Sequence, residues 1–263
     1  MTSTEQTAAR SPAAVRAIRI LEAVGNQPGI TVSELAGHVG APKSSTSNLC
    51  HDLVMVGAIE RDGAGFSLTG WVLGLASAHL SASGSVEVFH RAVKSMPQAS
   101  AETVQLARLD GANMVYLARH DGSHPVRLVS EIGRQLPASC TGTGKAVLAG
   151  LDEAEISALF PKRLPQLTRH SHRRLKTLFD DLREVRERGY AIDEEETAEG
   201  VVCFAASVSE FGAAPPMGAV SFSLLKARAT PELRAELADV VTRLADHISH
   251  ARSGPTPVKE QSR

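Results

Sequence analysis

Hydroxyl, amide and imidazole side chains crowd one short segment, which reads KSSTSNLCH from Lys43 to His51. Side chains of these types hydrogen-bond to base edges and phosphates when a helix enters the major groove of DNA. A lysine and the backbone amides at the start of such a helix also suit a phosphate, and an arginine in a nearby hairpin can bind one too. The pattern therefore predicts a DNA-contacting set: Lys43, Ser44, Ser45, Thr46, Ser47, Asn48, His51 and Arg61.

A second segment, TGTGK from Thr141 to Lys145, looks like a nucleotide-binding turn but lacks two of its parts. The nucleotide pattern requires a glycine five residues before its second glycine, where this chain has Ser139, and a hydroxyl residue directly after the lysine, where it has an alanine. A nucleoside triphosphate site is therefore not expected. The amides of Gly142 and Thr143 can still bind a smaller anion such as a carboxylate, and a plain turn between a strand and a helix is the alternative.

Other residues that could do chemistry lack a partner at a useful spacing. The acids within residues 193–199 have no base or nucleophile beside them, and runs of acids are usually solvated. Cys203 lies in an apolar strand pattern, where a lone cysteine is usually a small core residue. His170-Ser-His172 offers too few ligands for a zinc site. We therefore expect no catalytic residue, no cofactor and no metal, and a cysteine-dependent enzyme that uses Cys140 or Cys203 is kept as an alternative.

The hydrophobic spacing predicts three short helices and a hairpin around the hydroxyl-rich segment. Apolar residues one turn apart mark a helix over 12–26, and a second helix, SELAGHV, follows it. Pro42 opens a third helix that runs to about Val56, and AIERDGAGFSLTG then predicts two strands around a tight turn. Two helices joined by a tight corner and followed by a hairpin form a winged helix-turn-helix. We expect Leu49, Leu53 and Val56 to face the core, with the hydroxyl side chains outside.

The rest of the chain predicts a linker helix and a mixed α/β domain. Residues 71–90 look helical, with a break near Gly84. Beyond them, two strand patterns flank Asp110-Gly111, which is a strong hairpin signal. Further strand patterns read VRLVSEI, VVCFAASV and MGAVSFSL, and amphipathic helices lie over residues 175–189 and after Thr230. These patterns favour an antiparallel sheet covered by helices.

The composition describes an ordinary globular chain that is long enough for two domains. Of its 263 residues, 43% are hydrophobic and 22% are charged, a balance that supports a buried core without disulfides or metals. Three widely spaced cysteines suit a reducing compartment. Neither a secretory signal nor an apolar run of membrane-spanning length is present, so we expect a cytoplasmic protein with no membrane partner. A net charge of −1 gives no sign of nucleic-acid binding, which keeps open a second alternative: a small-molecule sensor whose helix-turn-helix binds a protein partner.

Six sequence blocks carry a resemblance to a known family: RAIRILEAV, SELAGHVGAPKSS, GAIERDGAGFSLTG, TGTGKAVLAGL, RERGYAIDEEETAEGVVCFAASV and GAVSFSL. On these blocks, from about Val15 to Ile248, the chain resembles the IclR family of bacterial transcriptional regulators. The resemblance implies an α+β fold with a winged helix-turn-helix, a linker helix and a C-terminal GAF-like α/β effector domain. It also implies a ligand-responsive regulator that binds double-stranded operator DNA as a homodimer or a dimer of dimers. The expected organisation is a flexible tail (1–10), the DNA-binding domain (11–70), the linker helix (71–90), the effector-binding domain (91–252) and a second flexible tail (253–263).

The resemblance further implies an effector pocket for a small organic acid. The residues at the matching positions are Leu128, Leu136, Gly142, Thr143, Asp193, Val201, Cys203, Ser221 and Ser223. Backbone amides and serine hydroxyls offer donors to a carboxylate, and apolar walls exclude water. The chain departs from the family at Asn48, where arginine is usual, at Cys50, where leucine is common, and at Ser207, where proline is usual. Asn48 bears on operator preference, and Ser207 bears on the shape of the pocket.

Overall fold

A computed structural model describes residues 11–97, 101–123, 131–161, 163–209 and 217–252 of the chain. The predicted flexible tails, the candidate pocket residue Leu128 and most of the predicted strand VRLVSEI lie outside these residues. The chain divides into two units, Met1–Ala82 and Ser83–Arg263. Among the described residues, no helix combines the length and the apolar character that crossing a membrane requires.

The N-terminal unit consists of helices and a small sheet in the order α1 (Pro12–Asn26), β1 (Ile30–Thr31), α2 (Val32–Val39), α3 (Lys43–Met55), β2 (Ile59–Asp62), β3 (Gly65–Leu68) and α4 (Gly70–Ser83). α2 begins at a capping box, in which the side chains of Thr31 and Glu34 each accept a hydrogen bond from the other's backbone amide. β3 pairs with both β1 and β2, antiparallel in each case. These elements confirm the predicted winged helix-turn-helix. Its core contains Ile20, Val24, Ile30, Leu35, Val39, Cys50, Ile59 and Phe66.

Gly65 allows the hairpin to close against β1. A Cβ atom built at Gly65 would lie 1.9 Å from the carbonyl oxygen of Gly29, which is far inside van der Waals contact. The backbones approach this closely because the residue at position 65 has no side chain. The hairpin is therefore fixed to the same core as α1, α2 and α3.

The C-terminal unit is built on one sheet, whose strands are β4 (Thr103–Asp110), β5 (Asn113–His120), β6 (Gln135–Pro137), β7 (Ala191–Glu194), β8 (Val201–Val208) and β9 (Gly218–Leu225). The strand order is β6-β5-β4-β9-β8-β7, with every neighbouring pair antiparallel. The helices are α5 (Ser85–Ser95), α6 (Gly142–Leu148), α7 (Glu153–Leu159), α8 (Leu175–Arg188) and α9 (Pro231–Arg252). Gly84 separates α4 from α5. The antiparallel sheet with its helices confirms the predicted α+β class.

Helices cover both faces of this sheet. α6 and α8 pack on one face, where small side chains leave room for them: Ala107, Ala191, Ala205 and Ala219. α9 packs on the strands β8 and β9 from the other face, together with α5. Because side chains alternate along a strand, every second residue of β4, β8 and β9 points toward α6. The polar residues that the sequence singled out lie on this face, at the start of α6.

Candidate functional site

Six of the predicted DNA-contacting residues form an exposed surface on α3, which we call the α3 surface: Lys43, Ser44, Ser45, Ser47, Asn48 and His51. α3 begins at Lys43, directly after Pro42, so the lysine and the free first-turn amides lie together at a helix start that favours an anion. On its other side, α3 packs against α1 and α2 through the buried Cys50 and the half-buried Leu49 and Leu53. The helix therefore presents polar side chains to solvent while apolar side chains hold it in place.

Thr46 does not belong to this surface, so its predicted contact with DNA is wrong. Its side chain is fully buried, and its hydroxyl donates to the carbonyl oxygen of Pro42 at 3.1 Å. Thr46 and Cys50 lie one helical turn apart and form the buried row of α3. The helix is rotated so that this row faces the core, whereas Val56, which we expected inside, is 60% exposed.

Two alanine substitutions on α3 should separate the buried hydroxyl from the exposed one. Thr46→Ala removes a buried methyl and a buried hydroxyl, and it should lower the free energy of unfolding of the N-terminal unit by about 1–3 kcal/mol. Ser47→Ala changes an exposed side chain, and it should change that free energy by no more than about 0.5 kcal/mol. Urea unfolding followed through Trp71, the chain's one tryptophan, measures both changes. A larger loss for Ser47→Ala would contradict the assignment of the two faces.

The hairpin carries the remaining predicted residue, Arg61, in β2. The Arg61 guanidinium lies 5.3 Å from the ring centroid of Phe66, a cation–π contact, and the side chain stays exposed. Ser67 donates a hydrogen bond to Asp62 across the hairpin at 3.2 Å, which holds the two strands in register. Arg61 is therefore an exposed cation on an ordered hairpin, as phosphate binding requires.

Seven of the nine predicted pocket residues line one cavity in the C-terminal unit: Gly142, Thr143, Asp193, Val201, Cys203, Ser221 and Ser223. Four residues that the sequence did not single out line it as well: Gln105, Tyr116, Thr197 and Ala198. The cavity measures about 10 Å³, which is about the room that one water molecule needs. The candidate pocket is therefore a nearly closed polar cavity beside the start of α6.

Leu136, which we expected in the pocket, does not line this cavity. β6 is an edge strand, in which Leu136 pairs with Met114 of β5, and its side chain packs in the apolar core beneath α6 and α8. The missed residue Gln105 did carry a signal in the sequence, because it is a polar residue inside the apolar strand TVQLARL. It lies directly opposite Ser221 of β9. Nothing in the sequence marked Tyr116.

The sheet register places the polar cavity residues side by side. Asp193 of β7 pairs with Cys203 of β8, which pairs with Ser223 of β9, and Cys203 Sγ lies 3.1 Å from Ser223 Oγ. Gly142 lies directly over this row, because a Cβ atom built on it would be 3.4–3.6 Å from the Cβ atoms of Ala205, Asp193 and Cys203. The row of polar side chains and the first amides of α6 therefore meet at the cavity.

Asp193 is fully buried, and both of its carboxyl oxygens have partners. Oδ1 accepts hydrogen bonds from the amides of Glu196 (2.7 Å) and Thr197 (3.2 Å), and Oδ2 lies 2.6 Å from Thr197 Oγ1. The Thr197 hydroxyl has one hydrogen, and the carbonyl oxygen of Cys140, 2.8 Å away, can only accept it. Both contacts are satisfied together when Asp193 is protonated and donates to Thr197. Burial raises the pKa of Asp193 to about 6, whereas donation by the Thr197 hydroxyl to the ionised carboxylate lowers it, so the protonated arrangement is the main one only below about pH 6.

A group of charged side chains lies next to the cavity around Lys145 of α6, which is fully buried. Lys145 Nζ donates to Asp181 Oδ2 at 2.6 Å and to Glu196 Oε1. His172 Nε2 lies 3.1 Å from Asp181 Oδ2 and 3.6 Å from Glu196 Oε2. Arg188 lies 3.6 Å from the second oxygen of Asp181. We call these five residues the Lys145 cluster.

Lys145 and Asp181 keep each other ionised within the Lys145 cluster. Burial alone would lower the pKa of Lys145, but the charges of Glu196 and Asp181 outweigh it and raise that pKa. Burial alone would raise the pKa of Asp181, but the hydrogen bond from His172 and the charge of Lys145 lower it to about 2. The expectation that the acids of residues 193–199 are solvated is therefore wrong for Glu196, which is 6% exposed, as well as for Asp193.

The Lys145 cluster also contains a set of possible metal ligands. Ligand atoms of His172, Asp181 and Glu196 lie within 4.8 Å of one another. The ammonium of Lys145 already binds both carboxylates, so it supplies the positive charge that a cation would bring. The amide of Glu196 binds the carboxyl group of Asp193, so the cluster is connected to the cavity wall.

Neither cysteine beside the cavity is activated as a nucleophile. Burial, together with the charge of Asp193, raises the pKa of Cys203 well above its ordinary range. Burial also raises the pKa of Cys140, whose Sγ donates to the carbonyl oxygen of Pro165 at 3.1 Å. Because the thiolate is the reactive form, both side chains are inert thiols at neutral pH. Cys203 is suited to donate a weak hydrogen bond in the cavity.

The sequence matches one family along most of its length. Residues 13–63 match the IclR helix-turn-helix domain, and residues 78–250 match the C-terminal domain of the bacterial transcriptional regulator IclR. The transcriptional repressor IclR of Escherichia coli (strain K12) is 28% identical over 250 residues, which cover 91% of this chain and 89% of that repressor.

Solved structures of regulators share the fold. The repressor BlcR of Agobacterium tumefaciens superimposes with a TM-score of 0.62 and 28% sequence identity, over 95% of this chain and 100% of that chain. An IclR homolog from Microbacterium hydrocarbonoxydans, 18% identical, superimposes with a TM-score of 0.75 over 92% and 100%. The named relatives are regulators and not enzymes, which excludes the cysteine-dependent enzyme. The chain belongs to the IclR family of bacterial transcriptional regulators, and its N-terminal unit is the helix-turn-helix DNA-binding domain of that family.

Proposed function

We propose that this regulator is a ligand-responsive repressor, which binds double-stranded operator DNA in the cytoplasm as a homodimer or a dimer of dimers. In this proposal, a small organic acid bound in the cavity of the C-terminal unit changes the affinity for the operator. The observation that carries the proposal is the exposed α3 surface, which combines polar side chains with an ordered helix start. Relatives that are named repressors support the sign of regulation.

The α3 surface and the hairpin divide the proposed contacts with DNA. An amide side chain such as that of Asn48 can bind the edge of adenine through two hydrogen bonds, and the hydroxyls of Ser44 and Ser47 can reach neighbouring edges. Lys43, the first amides of α3 and Arg61 bind phosphates and so orient the helix. Because the net charge of the chain is −1, the affinity has to come from this local surface and not from the overall field.

Exposed apolar side chains on α4 support a second copy of the chain as a partner. Trp71 and Leu75, one helical turn apart, are 45% and 57% exposed, and Leu73 on another side of the helix is 72% exposed. Large apolar side chains left in water mark an interaction surface. Two N-terminal units paired through α4 would carry two α3 helices. Such a dimer reads two half-sites about 34 Å apart, or a multiple of that distance, on a near-palindromic operator. Sedimentation of the full chain measures the oligomeric state.

The chemistry of the cavity supports a small organic acid as the effector. The hydroxyls of Ser221 and Ser223 and the amides of Gly142 and Thr143 can all donate to a carboxylate. The homolog from Microbacterium hydrocarbonoxydans was crystallised with 4-hydroxybenzoate, which is such an acid. A cavity of about 10 Å³ has to widen for a molecule of that kind. Its binding would favour a different conformation from the closed one, and this unequal affinity is what a population shift requires.

Band-shift titration at a fixed salt concentration tests the proposed DNA binding, with an operator selected by the full-length protein from random duplexes. The wild type should bind the selected duplex more tightly than a random one. Ser47→Ala combined with Asn48→Ala should weaken binding to the selected duplex by about 1–3 kcal/mol for each base that the two side chains bind, which is roughly 5- to 150-fold. Asn26→Ala, an exposed amide at the end of α1, serves as the matched control and should leave the affinity unchanged.

Two outcomes would contradict this function. Equal affinity for selected and random duplexes would show that the α3 surface does not read sequence. Capture of a protein partner by the N-terminal unit, with no DNA bound at any salt concentration, would favour the sensor that acts through protein contacts.

A further inference from the structure

A basic segment that runs from the end of α7 into the first turns of α8 takes no part in the α3 surface or the cavity. Residues 161–179 contain six lysines and arginines and no aspartate or glutamate, in a chain whose net charge is −1. Three of these arginines line one cleft of the C-terminal unit together with Gln166. We call this the arginine cleft, after Arg163, Arg173 and Arg174.

The arginine cleft has the size and the lining of a small-molecule site. Its volume is about 630 Å³, within the range of roughly 300–1,000 Å³ that such sites occupy. Phe160 and Leu164, which are each 5% exposed, and the half-buried Leu175 supply its apolar lining. The exposed arginines lie around this lining. The cleft therefore combines a cationic rim with an apolar surface for the body of a ligand.

The three arginines of the cleft differ from two nearby arginines in having no acidic partner among the described residues. Arg169 pairs with Glu199, and Arg183 pairs with Asp180. Within the ranges that the structure describes, the guanidinium groups of the three cleft arginines form neither an ion pair nor a hydrogen bond. Like charges at one opening repel one another, and a multiply charged anion relieves that repulsion.

The chemistry of the rim favours phosphate over a single carboxylate. The planar guanidinium presents paired donors that match two oxygens of a phosphate. A phosphate monoester carries nearly two negative charges at neutral pH, so it neutralises more of the rim than a monocarboxylate does. α8 begins at Leu175 on the same rim with no side-chain cap and no acidic residue in its first turn, which leaves amide donors available. We propose that the arginine cleft binds a small phosphate monoester with a ring-shaped or apolar body, as a second ligand beside the one in the cavity.

Isothermal titration calorimetry of the full-length protein with phenyl phosphate tests the proposal, because this probe joins a phosphate to an apolar ring. We expect one site per chain with a dissociation constant at or below about 1 mM. Phenol keeps the ring without the charge, and inorganic phosphate keeps the charge without the ring, so each should bind at least about 10-fold more weakly. Equal binding of phenyl phosphate and phenol, or no binding of phenyl phosphate, would overturn the proposal.

Substitutions in the arginine cleft test whether phenyl phosphate binds there. Arg173→Gln combined with Arg174→Gln should weaken phenyl phosphate at least about 10-fold, because each substitution removes a charge-assisted hydrogen bond. Arg183→Gln, an exposed arginine of α8 paired with Asp180, is the matched control and should bind the probe as the wild type does. Unchanged binding by the double variant would place the probe elsewhere and refute the assignment. A double variant that weakens DNA binding, in a protein whose wild type ignores phenyl phosphate, would assign the cleft to the DNA backbone instead.

Discussion

Replacing Lys145 with methionine should lower the free energy of unfolding of the C-terminal unit by about 3–5 kcal/mol. Lys145 is 1% exposed, and the side chains of its partners Asp181 and Glu196 are 19% and 8% exposed. Methionine keeps much of the length of the side chain but leaves two carboxylates with little access to water and without their ammonium. Urea unfolding at neutral pH, followed by circular dichroism, measures the loss, and the melting temperature should fall by roughly 6–20 °C.

Lys226→Met is the matched control for this prediction. Lys226 also pairs with an acid, Glu195, but the Lys226 side chain is 50% exposed. Water therefore screens the attraction between the two charges, and it can solvate Glu195 when the lysine is removed. Its loss should change the free energy of unfolding by no more than about 1 kcal/mol. Equal effects of the two substitutions would mean that the Lys145 cluster is solvated and does not hold α6 to α8.

Asp193 should make the C-terminal unit less stable as the pH rises from about 4 to about 6. Its native pKa of about 6 lies above the ordinary value of about 3.9, so in this window the native state holds the proton that the unfolded chain releases. The stabilisation is complete below pH 4 and lost once the pH has passed 6. A gap of about 2 between the two pKa values corresponds to about 3 kcal/mol.

A test of this pH dependence has to leave unchanged the other charged and titratable groups that face Asp193. Glu196 lies in the loop after β7, Lys145 on α6 and Cys203 on β8. Asp193→Asn leaves all three in place, and its amide can accept from the backbone and donate to Thr197 as the protonated acid does. The variant should therefore lose the decline in stability between pH 4 and pH 6. Urea unfolding of both proteins from pH 4 to pH 7.5 gives the difference, and two parallel curves would refute the assignment.

Protonation of Asp193 should also affect how tightly the proposed effector binds. A carboxylate that enters the cavity comes close to Asp193, and two negative charges in a buried site repel each other. With Asp193 protonated, that repulsion is absent and the acid meets only donors and a neutral carboxyl group. Effector binding should accordingly be tighter below pH 6 than above it.

The helix-turn-helix could be predicted because its signals are local. The capping box of Thr31 and Glu34 and the apolar spacing of α1 and α2 act within a few residues of the chain. The rotation of α3 could not be predicted in the same way, because its sequence offers two rows with helical spacing. Packing against α1 and α2 selects the row of Thr46 and Cys50, and the methyl group of a threonine is apolar enough to be buried there.

The lining of the cavity could be predicted in part. The lining residues on β4 and β5 that the prediction missed depend on the register of these two strands. The pairing of β4 with β5 has a bulge at Leu117 of β5, so Ala107 pairs with Tyr116 and not with Leu117. That shift brings Tyr116 to the face of the sheet on which Gln105 lies. A bulge in a strand pair is a property of the packed sheet, and the alternation of apolar residues along β4 and β5 does not reveal it.

The Lys145 cluster illustrates what sequence spacing leaves out. His172 and Glu196 each belong to a polar segment that is typical of a solvated surface. Lys145 pairs with carboxylates that are distant from it along the chain, and burial of the lysine and the two acids is favourable only when they come together. The fold brings the lysine and the two acids together, and the sequence of each separate segment does not indicate this.

The order of strands in the sheet has a consequence for synthesis on the ribosome. β4 and β9 are central neighbours, although β4 ends at Asp110 and β9 begins at Gly218. Translation therefore has to add more than 100 residues before β4 gains its second partner, whereas the strands of the N-terminal unit pair among themselves. A nascent chain is expected to fold its DNA-binding unit first, so for part of its synthesis it carries a folded DNA-binding unit and an unfolded C-terminal unit.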